Sequence, residues 1–130
     1  MVRNFLPTVV IADPDMFYQH RIAYTLQQSF RCIITGSLRD TYRAILYERP
    51  TLLVLELNQP DGDGLELIRH LHTDPYLRNI LIACVTRRST VWDKLWAFRA
   101  GADDYIVKPL SPTFYGQMLM LQRAGLMARA

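Results

Sequence analysis

Acids, a hydroxyl and a lysine stand where the apolar runs of this chain end. Asp13 and Asp15 follow the run Thr8–Ala12. Glu56 closes the stretch Leu52–Leu55, with Asn58, Asp61 and Asp63 soon after it. Thr86 follows Ile80–Val85, and Lys108-Pro109 follows Tyr105–Val107. If folding gathers these residues, carboxylates beside a lysine form an ion pair, and carboxylates left over form an acidic pocket that can draw a cation. Each residue alone is an ordinary polar loop end. Their joint order is what asks for an explanation.

The elements that must position them follow from hydrophobic periodicity. Strands are predicted at Thr8–Ala12, Cys32–Thr35, Leu52–Leu57, Ile80–Val85 and Tyr105–Val107. Between them the spacing is helical. Tyr18, Ile22, Leu26 and Phe30 form one stripe; Tyr42, Ile45 and Leu46 a second; Leu65, Leu67, Ile68 and Leu71 a third. Val91, Leu95, Phe98 and Ala102 predict the buried stripe of a fourth helix, closed by Gly101. Trp92, Trp96 and Arg99 lie about 100° round from that stripe. A last helix is predicted from Pro112 through Phe114, Met118 and Leu121. Asp15, Ser37 and Ser111 are read as caps or first-turn residues. Strand and helix alternate five times, which predicts an α/β sandwich with a parallel sheet covered on both faces. In such a sheet the functional crevice lies at the carboxyl ends of the strands, where these acids, Thr86 and Lys108 fall.

A chain of 130 residues is one domain. Half its residues are hydrophobic and its mean hydropathy is near zero. No apolar run approaches the roughly 18 residues of a membrane span, and the N-terminus has no secretory signal pattern. A net charge of +3, scattered along the chain, gives no basis for nucleic-acid binding by this domain. Cys32 and Cys84 sit in apolar contexts and are read as buried free thiols of a cytoplasmic protein, in preference to a disulfide. His70 and His72 are two apart on a helix and do not share a face, and His20 is read as a surface residue. No dinucleotide or nucleotide-phosphate motif is present. The loop after the first strand, Asp13-Pro14-Asp15, is acidic and repels a flavin phosphate. No nucleophile–histidine–acid set lies on these loops. No enzyme activity and no cofactor are expected.

The order of these residues resembles the receiver domain of bacterial two-component response regulators. The resemblance rests on Asp13, on Glu56-Leu57-Asn58-Gln59-Pro60-Asp61-Gly62-Asp63-Gly64, on Thr86, and on Gly101-Ala102-Asp103-Asp104-Tyr105-Ile106-Val107-Lys108-Pro109. It spans Thr8 to Gln122. It implies a flavodoxin-like (βα)5 fold, with residues 1–124 as the receiver-like domain and 125–130 as a tail or the start of a linker. In that family a sensor kinase's phosphoryl group passes to an aspartate after the third strand. A Mg2+ is held by that aspartate, an acidic pair after the first strand and a backbone carbonyl. A threonine and a lysine bind the phosphoryl oxygens.

Two positions depart from the pattern. Glu56 stands at the phosphoacceptor position, and Asp13-Pro14 replaces the acidic pair. Asn58 keeps the carbonyl, and Thr86, Tyr105, Lys108 and Pro109 remain. Mg2+ demands near-octahedral oxygen ligands at short range, so a proline and a displaced carboxylate weaken its site; no metal is expected at the remnant positions Asp13, Glu56 and Asn58. A glutamate reaches about 1.3 Å further than an aspartate, and misplacement on that scale costs on the order of 100-fold in a positioned reaction. The expectation is therefore a pseudo-receiver working without phosphate. In it Glu56 pairs with a partly buried Lys108, near Thr86 and Asp13, within a remnant acidic pocket. The alternatives are a solvated Glu56, and a working phosphate acceptor at Glu56 or Asp61, such as the receiver part of a longer transcriptional regulator. The expected partner is a protein or a second copy, docked on the face of the fourth helix, fifth strand and fifth helix through Trp92, Trp96, Arg99 and Tyr105. The competing reading folds both indoles onto the core rim.

Overall fold

A computed structural model describes residues 6–129. The first five residues and Ala130, included in the domain and tail expectations, lie outside the described residues. Strands β1 (Thr8–Ala12), β2 (Arg31–Thr35), β3 (Leu52–Leu55), β6 (Leu81–Thr86) and β7 (Asp104–Val107) form one parallel sheet in the order β2-β1-β3-β6-β7. Helices α1 (Met16–Leu26), α2 (Leu38–Glu48), α3 (Gly64–Thr73), α4 (Val91–Ala100) and α5 (Phe114–Arg129) connect or follow the strands. This is the flavodoxin-like (βα)5 architecture. A two-residue ladder, β4 (Asn58–Gln59) with β5 (Gly62–Asp63), was not predicted.

The strands alternate between two cores. Val10, Ala12, Leu53, Leu55, Ile82 and Cys84 face a cluster built with α2, α3 and α4. Val9, Ile11, Leu52, Val54, Leu81, Ala83 and Val85 face one built with α1 and α5. Both faces are covered, so the strands read as unbroken apolar runs. The register pairs Ala12 with Leu55, Leu55 with Cys84, and Thr86 with Val107. The residues after β1, β3 and β7 therefore meet at one edge, beside the end of β6.

Caps set the helix starts. Asp15 and Ser37 accept from the amides of Phe17 and Asp40. Asp63 caps α3, and Thr90 with Asp93 forms a capping box on α4. Gly101 ends α4 at φ +129, where a Cβ would stand 2.7 Å from His72. Helix α5 begins at Phe114 instead of Pro112, since Pro112 and Thr113 form a turn closed by the Phe114 amide on the Ser111 carbonyl. It continues to Arg129, through residues expected to form a tail. Phe30 is buried but lies beyond α1. Cys84 is buried, Cys32 is half-buried, and both are free thiols. His20, His70 and His72 are exposed.

Two predicted stripes need correction. On α2, Thr41 and Ile45 are buried and Leu46 is exposed. On α4, Val91, Leu95 and Phe98 face solvent, and the buried residues are Ala97 and Ala100. Small residues let α4 lie close against α3 and the sheet. Periodicity weights large side chains and so selected the wrong face of a helix that is apolar nearly all round.

Gly64 shows how tightly the turn beneath the site is packed. A Cβ there would lie 2.9 Å from Leu57 Cα and 3.3 Å from the Glu56 carbonyl oxygen. Backbone cannot rotate away as a side chain can, so Gly64→Ala should cost about 1–3 kcal/mol in urea unfolding. A loss within the scatter of a surface substitution would show that the turn is more compliant than this packing implies.

Candidate functional site

Asp13 lies just beyond β1 and is buried. Its Oδ1 accepts from the Asp15 amide at 2.9 Å, and its Oδ2 accepts from Lys108 Nζ at 2.7 Å. Glu56 follows β3 and is also buried. Its amide donates to the Ala12 carbonyl at 2.9 Å, which locks the two strand ends together. Its Oε1 accepts from Lys108 Nζ at 3.0 Å, and its Oε2 from the Asn58 amide at 3.0 Å. The longer glutamate arm thus reaches the lysine and the start of the next loop at once. The ammonium also sits 4.0 Å from the centre of the Tyr18 ring, a cation–π contact in a desolvated place. Lys108 is fully occupied by two carboxylates and an aromatic face. The expected Glu56–Lys108 pair is present, buried throughout instead of partly, and Asp13 makes the shorter contact.

Electrostatics follow burial. Desolvation pushes the Asp13 carboxyl above its ordinary value and is opposed by the bonds from Lys108 and the Asp15 amide, while the Glu56 charge adds to the rise. The acids do not stand alone. Arg87 lies over the Tyr18 ring at 5.7 Å, and Arg88 contacts Asp63 at 3.2 Å. Asp13 and Glu56 share the one ammonium of Lys108, and Arg88 pairs with Asp63. The expected acidic pocket thus has two buried carboxylates at its centre, both held by one lysine.

The remaining predicted residues divide. Thr86 is buried; its carbonyl accepts from the Lys108 amide at 2.8 Å, while its hydroxyl accepts from the Arg88 amide at 3.3 Å. Tyr105 is half-buried and donates its hydroxyl to the Arg88 carbonyl at 2.8 Å. Burial, and then the Asp93 charge, push its phenol well above the ordinary value. Pro109 follows Lys108 through a cis peptide and is exposed. The Asn58 backbone amide donates to Glu56, and its Oδ1 accepts from Arg88 Nε at 2.8 Å. Asp61 lies away from the cluster. It accepts from the amides of Leu38 and Arg39 at 2.8 and 3.0 Å, caps α2 from a distant loop, and is held below the usual carboxylate range by those bonds. Asp15 is exposed and engaged as the α1 cap.

Sequence reasoning missed three contributors. Tyr18 was placed only as a core residue. Arg88 carried no motif. Gln59 was passed over, although its Nε2 donates to the carbonyls of Ala12 and Glu56 at 3.1 and 2.8 Å. Tyr18 lay on the signalled stripe and next to the first loop; nothing in the sequence marked the other two.

The donor set fits a divalent ion poorly. Both carboxylates already hold Lys108, and neither neighbour of Asp13, Ala12 or Pro14, carries an oxygen side chain. Among the described residues no group of three or more His, Cys, Asp or Glu side chains is arranged to hold a metal.

The second predicted surface is exposed. Val91 is 77%, Trp92 66%, Trp96 47% and Phe98 47% accessible. Both indoles keep much of their surface accessible. Arg99 is exposed, and Tyr105 packs its ring 6.4 Å from that of Phe98. Met120, Leu126 and Met127 are exposed on α5. Among the described residues no helix is long and apolar enough to cross a membrane.

Residues 9–118 match the response regulator receiver domain family. The chain is 38% identical over 105 residues to the phosphate regulon transcriptional regulatory protein PhoB of Escherichia coli, covering 80% of this chain and 46% of that one. It is 30% identical over 106 residues to the PhoB of Pseudomonas aeruginosa, covering 81% of this chain and 46% of that one. It thus spans about half the length of these curated relatives. A response regulator receiver domain protein (CheY-like) from Methanospirillum hungatei superposes with a TM-score of 0.87 at 21% identity, covering 95% of this chain and 98% of that one.

Proposed function

We propose that this chain, which belongs to the response regulator receiver domain family, is an atypical receiver that transmits signals by protein contact, without a phosphorylation cycle. One observation carries the reading. The lysine that resemblance assigns to phosphoryl oxygens is already bound by Asp13 and Glu56 in a buried cluster. A phosphoryl group added there would have to break the Lys108 pair and bring further negative charge beside Asp13. Glu56 acts in this reading as a fixed internal counter-charge.

The proposed partner is a second copy of this chain, docked through α4, β7 and α5. Trp92, Trp96 and Phe98 give the patch the aromatic character of interface hot spots. Lys94, Arg99 and Asp93 lie on α4, and Asp104 lies on β7. Both signs on one patch suit an isologous two-fold contact, in which the surface meets itself. This domain is not proposed to contact nucleic acid or membrane, and it acts as a signalling module, not an enzyme.

Sedimentation of the wild type and Trp96→Glu at tens of micromolar tests the interface. The expected result is a dimer that the substitution shifts to monomer, weakening association by about 100-fold or more, as loss of a hot spot does. Identical monomers in both samples would refute it.

A further inference from the structure

Arg88 joins more of the site than any other residue of its loop. Its amide donates to Thr86 Oγ1 at 3.3 Å, and its carbonyl accepts from Tyr105 Oη at 2.8 Å. Its guanidinium reaches Asn58 Oδ1 at 2.8 Å and Asp63 Oδ2 at 3.2 Å. The two loops so joined leave β3 and β6, the adjacent strands that lie between β1 and β7 in the sheet. The Arg88 side chain is 23% accessible and its partner Asp63 44%, so the pair is only partly shielded from the screening that makes exposed pairs weak. After Arg88 only Ser89 and the cap Thr90 precede α4.

We infer that Arg88 is a positioning residue, a built-in cation that ties the β6–α4 loop to the β3–α3 loop and thereby fixes where α4 begins and which way Tyr105 points. The inference rests on the proposed function and supplies its regulation. The α4 face is held by an internal arginine bridge, with no added group needed to hold it. A loop this short has no slack, and α4 moves as a rigid body, so a shift at Arg88 becomes a shift of Trp92 and Trp96. Tyr105 can donate to the Arg88 carbonyl only while that carbonyl faces it. Turning the loop leaves the phenol without its acceptor beside Phe98, and its remaining recourse is to swing toward water. These are two discrete arrangements, the kind of element a switch requires. Release is local. Asp63 keeps its α3 cap through Oδ1, and Asn58 keeps its amide bond to Glu56.

Amide hydrogen exchange across residues 87–91, with the Tyr105 ring signals by NMR, tests this in the wild type, Arg88→Ala and Asp63→Asn. The asparagine retains the capping oxygen and loses the charge that holds Arg88. Both variants should exchange about 10-fold faster or more in that segment, with β1, β3 and β6 unchanged. The double variant should be no faster than the faster single, because both remove one bridge. Tyr105 should move toward the signals of an exposed ring such as Tyr47. Wild-type exchange and wild-type Tyr105 signals in both single variants would overturn the inference. Sedimentation of the same samples separates it from the reading it rests on. A monomeric wild type refutes the self-association while the exchange data still decide the role of Arg88. An unweakened dimer in a variant with accelerated exchange overturns the claim that the bridge sets the face.

Discussion

Replacing Lys108 by methionine should destabilise the fold by about 3–5 kcal/mol, the range for removing one partner of a buried ion pair. That is a large part of the roughly 5–15 kcal/mol available to a domain. The substitution leaves Asp13 and Glu56 buried together without their shared cation, each keeping one backbone donor, the amides of Asp15 and Asn58. Glu56→Gln alone should cost less, because Lys108 keeps Asp13 at 2.7 Å. Combining the two should recover part of the lysine deficit, with a coupling of about 1 kcal/mol or more. The pH dependence has a definite sign. The folded-state pKa of Asp13 is already raised by burial and rises further without the ammonium. A carboxyl whose folded pKa lies above its unfolded one favours folding at low pH and loses that contribution as pH rises through the folded value. The penalty of Lys108→Met should therefore be largest near neutrality and shrink on acidification. Urea melts of the four proteins of the cycle at two pH values check both points. Strict additivity would refute the pair as an energetic unit.

The same substitution should strengthen divalent-cation binding between Asp13 and Glu56. In the wild type an entering Mg2+ must displace an ammonium held by the same carboxylates at 2.7 and 3.0 Å. Its melting temperature should be insensitive to Mg2+ into the millimolar range. In Lys108→Met the two carboxylates face each other with no cation between them. Hard cations take such oxygens, and binding to the folded state stabilises by RT ln(1 + [L]/Kd). Affinity should rise by about 10-fold or more, and added Mg2+ or Ca2+ should restore part of the lost stability. A sub-millimolar Mg2+ affinity of the wild type, abolished by Asp13→Ala, would contradict this view of Lys108 as the resident cation.

The parts of this protein that the sequence disclosed are those fixed by burial on both faces of a sheet. The five main strands and the gathering of Asp13, Glu56 and Lys108 follow from short apolar runs and the carboxyl-end rule. The α4 face was not legible, because Val91, Leu95 and Phe98 keep helical spacing whether they face the core or solvent. Only packing shows that Ala97 and Ala100 take the inner positions. Arg88 was not legible either. An arginine after a strand is commonplace, and its role depends on Asn58 and Asp63 reaching it from a loop 25 to 30 residues away. Tyr18 was assigned to the core correctly, yet its ring also faces Lys108, a second contact that helical periodicity cannot show.

The most direct test of the central claim is incubation of the purified chain with a small-molecule phosphodonor and Mg2+, followed by intact mass measurement. The account predicts an unmodified mass, because Glu56 and Asp13 already hold the lysine and no magnesium site is ready to assist transfer. A stoichiometric gain of one phosphate would contradict it and identify a working phosphoacceptor.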